Sequence, residues 1–171
     1  VAIEQGVTWN WETFDEFVSR IQQDLTINVA PLVGHSVLRL WVMGQAATER
    51  TATTTETAEM QSLLRQCLDA GAIGLSTSFV DMDEKLQPVP SRYADHAELD
   101  ALCAVLAEYN RILQVVHEFY DIDLTIGRID QLAELSLTHK ITTTLSPLFI
   151  NRGDFEGVDR VIARIVEQNA A

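Results

Sequence analysis

Leu99-Asp-Ala-Leu-Cys-Ala-Val-Leu-Ala-Glu-Tyr-Asn-Arg-Ile-Leu-Gln-Val-Val-His117 holds both of the element types from which the fold can be read. Leu99, Leu102, Cys103 and Leu106 recur at i, i+3, i+4 and i+7, the apolar stripe of an amphipathic helix, with Asp95 placed to cap it. Ile112–His117 follows as a short apolar run without clean alternation, as expected of a strand in a parallel sheet covered on both faces. A helix running straight into such a strand is half of a βαβ unit.

The same rhythm extends in both directions. Toward the N-terminus, Phe14, Phe17, Val18, Ile21 and Leu25 mark a helix opened by a Thr13/Glu16 capping box. Met60, Leu63, Leu64, Cys67 and Leu68 mark another, with Thr53/Glu56 as its box and Gly71 as its stop. Toward the C-terminus, helices are predicted from Asp123 through Ile129, Leu132, Ala133 and Leu135, and over Val158, Val161, Ile162, Ile165 and Val166. Strand-like runs lie at Ile27–Val33, Ile73–Ser78, Ile112–His117 and Ile141–Ser146. One helix followed by four strand–helix units predicts an α/β chain with a parallel sheet.

Two parallel architectures compete. An open doubly wound sheet usually carries a Gly-rich phosphate turn after its first strand, and Gly34-His35-Ser36 is neither GxGxxG nor GxxxxGK[ST]. A (β/α)₈ barrel needs roughly 250 residues, so four units in 171 residues are the scale of half a TIM-type barrel. Long loops after the first two strands, from 34 to about 53 and from 79 to about 94, favour the barrel, whose chemistry sits on such loops. The whole of 1–171 is therefore expected to be one partial catalytic barrel. The chain opens at Val1 and stops at Ala171 just after a helical pattern, as an internal fragment of a longer chain would.

Composition narrows the partners. Twelve Lys+Arg against 25 Asp+Glu give a formal charge of -13, which argues against nucleic acid and anionic membranes as partners. No apolar stretch approaches a membrane span, and no charged-then-apolar leader opens the chain. Two cysteines, Cys67 and Cys103, both on expected buried faces, are too few for a disulfide framework and fit a reducing, cytoplasmic setting.

Several side chains are placed to carry chemistry. His117 ends a strand, where a neutral imidazole can bind a metal or move a proton; the plainer reading is a histidine bonded to a loop carbonyl. His35 follows Gly34 at the first strand end, as a substrate contact or a structural loop histidine. Ser76 and Ser78 present small hydroxyls, Ser78 being a candidate substrate contact and Ser76 a packed barrel residue; no GxSxG elbow marks an activated serine. Arg92 lies in a proline-stiffened loop, Pro88-Val-Pro-Ser-Arg92, where its fork can clamp a carboxylate or pair with Asp95 or Glu98. His96 and His139 fall at positions without an expected role. By spacing alone no metal site can be completed, since HxH, HExxH and paired cysteines are all missing from this stretch. No catalytic acid or base can be assigned.

Four segments, in order, carry a resemblance. They are Trp11-x-x-Phe14-x-Glu16-Phe17; Asn28-Val-Ala-Pro-Leu-Val-Gly-His35; Leu38-Arg39 with Val42-Met43-Gly44; and Ala70-Gly-Ala-Ile-Gly-Leu-Ser-Thr-Ser78. The chain resembles the middle of the D-aminoacylase (N-acyl-D-amino-acid deacylase) branch of the amidohydrolase superfamily, most densely from about Trp9 to Leu102. The resemblance implies a distorted TIM barrel that hydrolyses non-peptide C–N bonds through a zinc-activated water, with a carboxylate handling the proton. It places the family's HxH pair before Val1 and its catalytic aspartate after Ala171. It gives His117 the role of a metal ligand, and expects the next ligand histidine within Thr142–Ser146, where this sequence has Thr-Thr-Thr-Leu-Ser. That departure points to a divergent subgroup whose metal site or substrate differs.

The expectation is thus a hydrolase whose small-molecule substrate carries a carboxylate, such as an N-acyl-D-amino acid. Zinc is its cofactor by resemblance. Within the chain, His117 faces the metal, and His35, Arg92 and Ser78 face the substrate. The competing reading is a metal-less barrel relative or binding module. The isolated 171 residues should be inactive and, with two open sheet edges, should self-associate.

Overall fold

The computed structural model describes residues 9–23, 25–118, 120–148 and 154–170. Among the described residues six helices and four strands follow in order: α1 (Phe14–Ile21), β1 (Val33–Gly34), α2 (His35–Met43), α3 (Thr54–Asp69), β2 (Gly74–Ser78), α4 (His96–Glu108), β3 (Ile112–Val116), α5 (Ile122–His139), β4 (Thr143–Leu145) and α6 (Phe155–Asn169). Short 3₁₀ turns occupy Gly44–Thr48 and Pro90–Tyr93.

The expected helix starts form as their capping chemistry requires. Thr13 and Glu16 close one capping box, Thr53 and Glu56 another, and the Asp95 carboxylate accepts from the Glu98 amide. The first helix ends at Ile21, so Leu25 lies beyond it and is exposed.

All four strands are parallel in the order β1-β2-β3-β4. Right-handed crossovers between strands in sequence order put the connecting helices α2–α5 on the same face of the sheet, which is the barrel's arrangement and not the doubly wound one. Side-chain burial agrees. Leu75, Leu113 and Val115 are fully enclosed with Leu64, Leu102, Leu106 and Leu135, whereas Ser76, Gln114 and Val116, pointing the other way, are half-buried. β2 and β3 approach closely at Gly74, where an added Cβ would stand 2.1 Å from the Ile112 carbonyl oxygen.

Two expectations need correcting. The run Ile27–Val33 forms a strand only at its end, Val33–Gly34; Pro31 interrupts the apolar stretch and cannot donate to a ladder, and Ile27 and Val29 are exposed. The segment after it, expected as a long loop, contains α2 and a 3₁₀ turn. Its inward face is His35, Leu38, Arg39 and Met43, while Val37, Leu40 and Trp41 point outward. Polar residues inside and apolar ones outside hide the helical period. No helix among the described residues is long and apolar enough to cross a membrane.

Candidate functional site

The strand C-termini gather the candidate residues on one rim. His35 opens α2 immediately after β1, with Gly34 as N-cap, and is 1% exposed. Its Nε2 lies 2.7 Å from Glu98 Oε1, and its Nδ1 lies 2.9 Å from the Thr77 hydroxyl. A carboxylate can only accept, so Nε2 carries the proton toward Glu98. Arg39, one helical turn after His35, donates to the other oxygen of Glu98 and to the carbonyls of Ala47 (3.3 Å) and Arg50 (2.8 Å). Burial pushes the Glu98 carboxyl up, but the bonds from His35 and Arg39 outweigh it and hold the group below the usual glutamate range. His35 therefore sits with both ring nitrogens engaged by protein groups, tying α2, β2 and α4 together.

Ser78, at the end of β2, starts the next loop. Its hydroxyl oxygen accepts from the amides of Val80 (3.2 Å) and Asp81 (3.0 Å), and its carbonyl accepts from the Ser91 hydroxyl at 3.0 Å. Ser91 in turn takes its amide to the Ser36 hydroxyl, closing the loop onto α2. Arg92 follows on the same 3₁₀ turn. It is half-buried, and its Nη1 reaches the Val80 carbonyl at 3.4 Å and the Met82 sulfur at 3.3 Å. Glu98 is already committed to His35 and Arg39, and no ion pair joins Arg92 to Asp95 or Glu98 among the described residues. Arg92 and His35 share a cavity of about 80 Å³ with Thr77, Phe79 and Arg128, whose guanidinium lies 4.7 Å from the Phe79 ring centre.

His117 stands apart from that cavity, just past β3, and is 1% exposed. Its Nδ1 bonds to the carbonyl of Glu118. A carbonyl only accepts, so Nδ1 is the protonated nitrogen and Nε2 carries the lone pair. That Nε2 is buried with no hydrogen-bond partner among the described residues.

The remaining histidines are engaged elsewhere: His96 with Gln131 at 3.1 Å and His139 with Asp100 at 2.8 Å. Among the described residues no group of three or more His, Cys, Asp or Glu could hold a metal ion. Of Thr142–Ser146, where the resemblance expects a ligand histidine, Thr143–Leu145 form β4. Glu98 and Thr77 were not foreseen as site residues. Arg39, spaced i+4 from His35, carried the one available signal of a shared helix face.

No family model matches the chain. In sequence it is 42% identical over 81 residues to an N-acyl-D-glutamate deacylase of Alcaligenes xylosoxydans xylosoxydans, covering 47% of this chain and 15% of that protein. In fold it superposes on a D-aminoacylase crystallised with copper chloride, with a TM-score of 0.78 at 23% identity, over 93% of this chain and 32% of that one. The chain is similar to the D-aminoacylases. An N-acyl-D-glutamate deacylase from Bordetella bronchiseptica, solved with zinc and a phosphonate mimic of the tetrahedral intermediate, matches with a TM-score of 0.71 at 27% identity, over 94% of this chain and 33% of that one. The four parallel strands thus correspond to part of an amidohydrolase TIM barrel. The chain spans less than a fifth of the length of the curated relatives it matches.

Proposed function

We propose that the chain is part of the catalytic barrel of a zinc-dependent amidohydrolase that cleaves the amide C–N bond of N-acyl amino acids, N-acyl-D-amino acids in particular. The observation that carries this reading is the His117 imidazole. It is buried at a strand end, its tautomer is fixed by the Glu118 carbonyl, and its Nε2 is left without a partner among the described residues. Such a nitrogen suits a divalent metal, whose chemistry when bound is to acidify a water and polarise an amide carbonyl.

The chain's own residues supply orientation. Arg92 would take the carboxylate that every N-acyl amino acid carries, exchanging its long contacts to Val80 and Met82 for a bidentate pair. Ser78 and His35 support that loop from beneath: Ser78 by accepting two of its amides, His35 by fixing the neighbouring Thr77. In a protein of net charge -13, a local cation at the mouth is what lets an anionic substrate approach.

A second reading has its own observation. The C-terminal end of β4 offers Thr and Ser side chains and no histidine, which favours a barrel relative that binds ligands without a metal. The two readings separate in the full-length protein. For the hydrolase, His117→Ala removes bound zinc and turnover, and Arg92→Ala mainly raises KM. Unchanged zinc content and turnover in the His117 variant would reject the ligand role, and the absence of zinc and of hydrolysis in the wild type would favour the binding module.

A further inference from the structure

The orientation of the His117 Nε2, which has no partner among the described residues, depends on a peptide that a different element also contacts. The Glu118 carbonyl, which accepts from Nδ1, also accepts from the Thr125 hydroxyl at 2.9 Å. Thr125 is 2% exposed and sits in the first turn of α5, where its amide donates to the Asp121 carbonyl at 2.9 Å; its hydroxyl has one proton, shared in a bifurcated bond between that carbonyl at 2.7 Å and the Glu118 carbonyl. Asp121 is the N-cap of that helix, its carboxylate accepting from the Leu124 amide at 3.0 Å. A carbonyl has two lone pairs, so it can take the imidazole and the hydroxyl together.

We propose that Thr125 is a positioning residue. By anchoring the Glu118 carbonyl to the start of α5, it locks His117 in the Nδ1–H tautomer and presents Nε2 as a free base. The inference rests on the reading of His117 as metal-facing, and it adds the group that selects which nitrogen faces. Without the hydroxyl the carbonyl loses its anchor, and the neutral ring is free to put its proton on Nε2, where it cannot bind a cation.

The test uses the full-length protein with ¹⁵N-labelled histidine. The tautomer of His117 is read from its ring-nitrogen shifts, with its signal assigned by its loss in His117→Gln, and zinc affinity is read by competition with a chromophoric chelator. The metal-free wild type should show the Nδ1–H tautomer. Thr125→Val should show a mixture and a zinc dissociation constant raised roughly 10- to 100-fold, the usual cost of losing such support. Thr125→Ser should restore both. An Nε2–H tautomer in the wild type overturns the proposal with no variant needed. So does a folded Thr125→Val protein with an unchanged tautomer and zinc affinity within about twofold. If His117→Gln keeps its zinc, the ligand reading fails on its own. The tautomer spectrum of Thr125→Val then still decides the role of the threonine, a mixture supporting it and an unchanged spectrum overturning it.

Discussion

Replacing Glu98 by Gln tests the buried network beneath the rim. The change keeps the shape of the side chain and removes its charge, leaving the Arg39 guanidinium, 0% exposed, without an anion. Removing one partner of a buried ion pair typically costs about 3–5 kcal/mol, because the remaining charge stays desolvated. With a urea slope of about 2 kcal/mol per molar, the unfolding midpoint should fall by roughly 1.5–2.5 M. Arg39→Leu combined with Glu98→Leu should recover much of the loss, leaving the unbonded His35 nitrogen at about 1–3 kcal/mol. The cycle also has a pH signature. The Glu98 carboxyl is held below 4.5 in the fold, so its stabilisation is fully present above about pH 4.5 and is lost as pH falls through the lower folded value. Urea melts between pH 3 and 7 should therefore show a smaller acid loss in Glu98→Gln than in the wild type. A Glu98→Gln protein within about 1 kcal/mol of wild type at pH 7 would refute the view that this pair is closed to water.

Other outcomes follow from single features. Gly74→Ala should force β2 from β3, because the new methyl meets the Ile112 carbonyl, and should yield little soluble protein on expression. Thr53→Ala should cost about 1 kcal/mol in a thermal melt by opening the α3 capping box. Burial pushes the Cys67 thiol up to about 11, and burial with the neighbouring Asp100 pushes Cys103 to about 12, so neither should react with a thiol reagent at pH 8 until urea unfolds the chain. The isolated chain should associate through the open edges of β1 and β4 and the exposed Val37, Leu40 and Trp41. Sedimentation velocity showing a monomer at all concentrations would contradict this, and Trp41→Lys should shift the distribution toward monomer.

The capped, periodic elements were legible in the sequence because their determinants are local. Thr13 and Thr53 with their glutamates, Asp95 before Leu99, and the stripe Leu99, Leu102, Cys103, Leu106 each fix a helix within a turn or two of chain, and the βα rhythm then dictates a parallel sheet. The position of His117 at a strand end was equally plain, since Ile112–Val116 announces the strand before it. What tertiary structure alone decided lies where polar groups were turned inward. The helix His35–Met43 is invisible to a hydrophobic period because His35 and Arg39 face the core, and they can do so only because Glu98, 59 residues beyond Arg39, arrives to receive both. Which nitrogen of His117 has a partner among the described residues was likewise decided by tertiary structure, through the Glu118 carbonyl that the Thr125 hydroxyl of α5 also reaches. An apolar stripe declares its buried face by itself, whereas a buried charge or a histidine tautomer is defined by its partner, and the fold brings the partner.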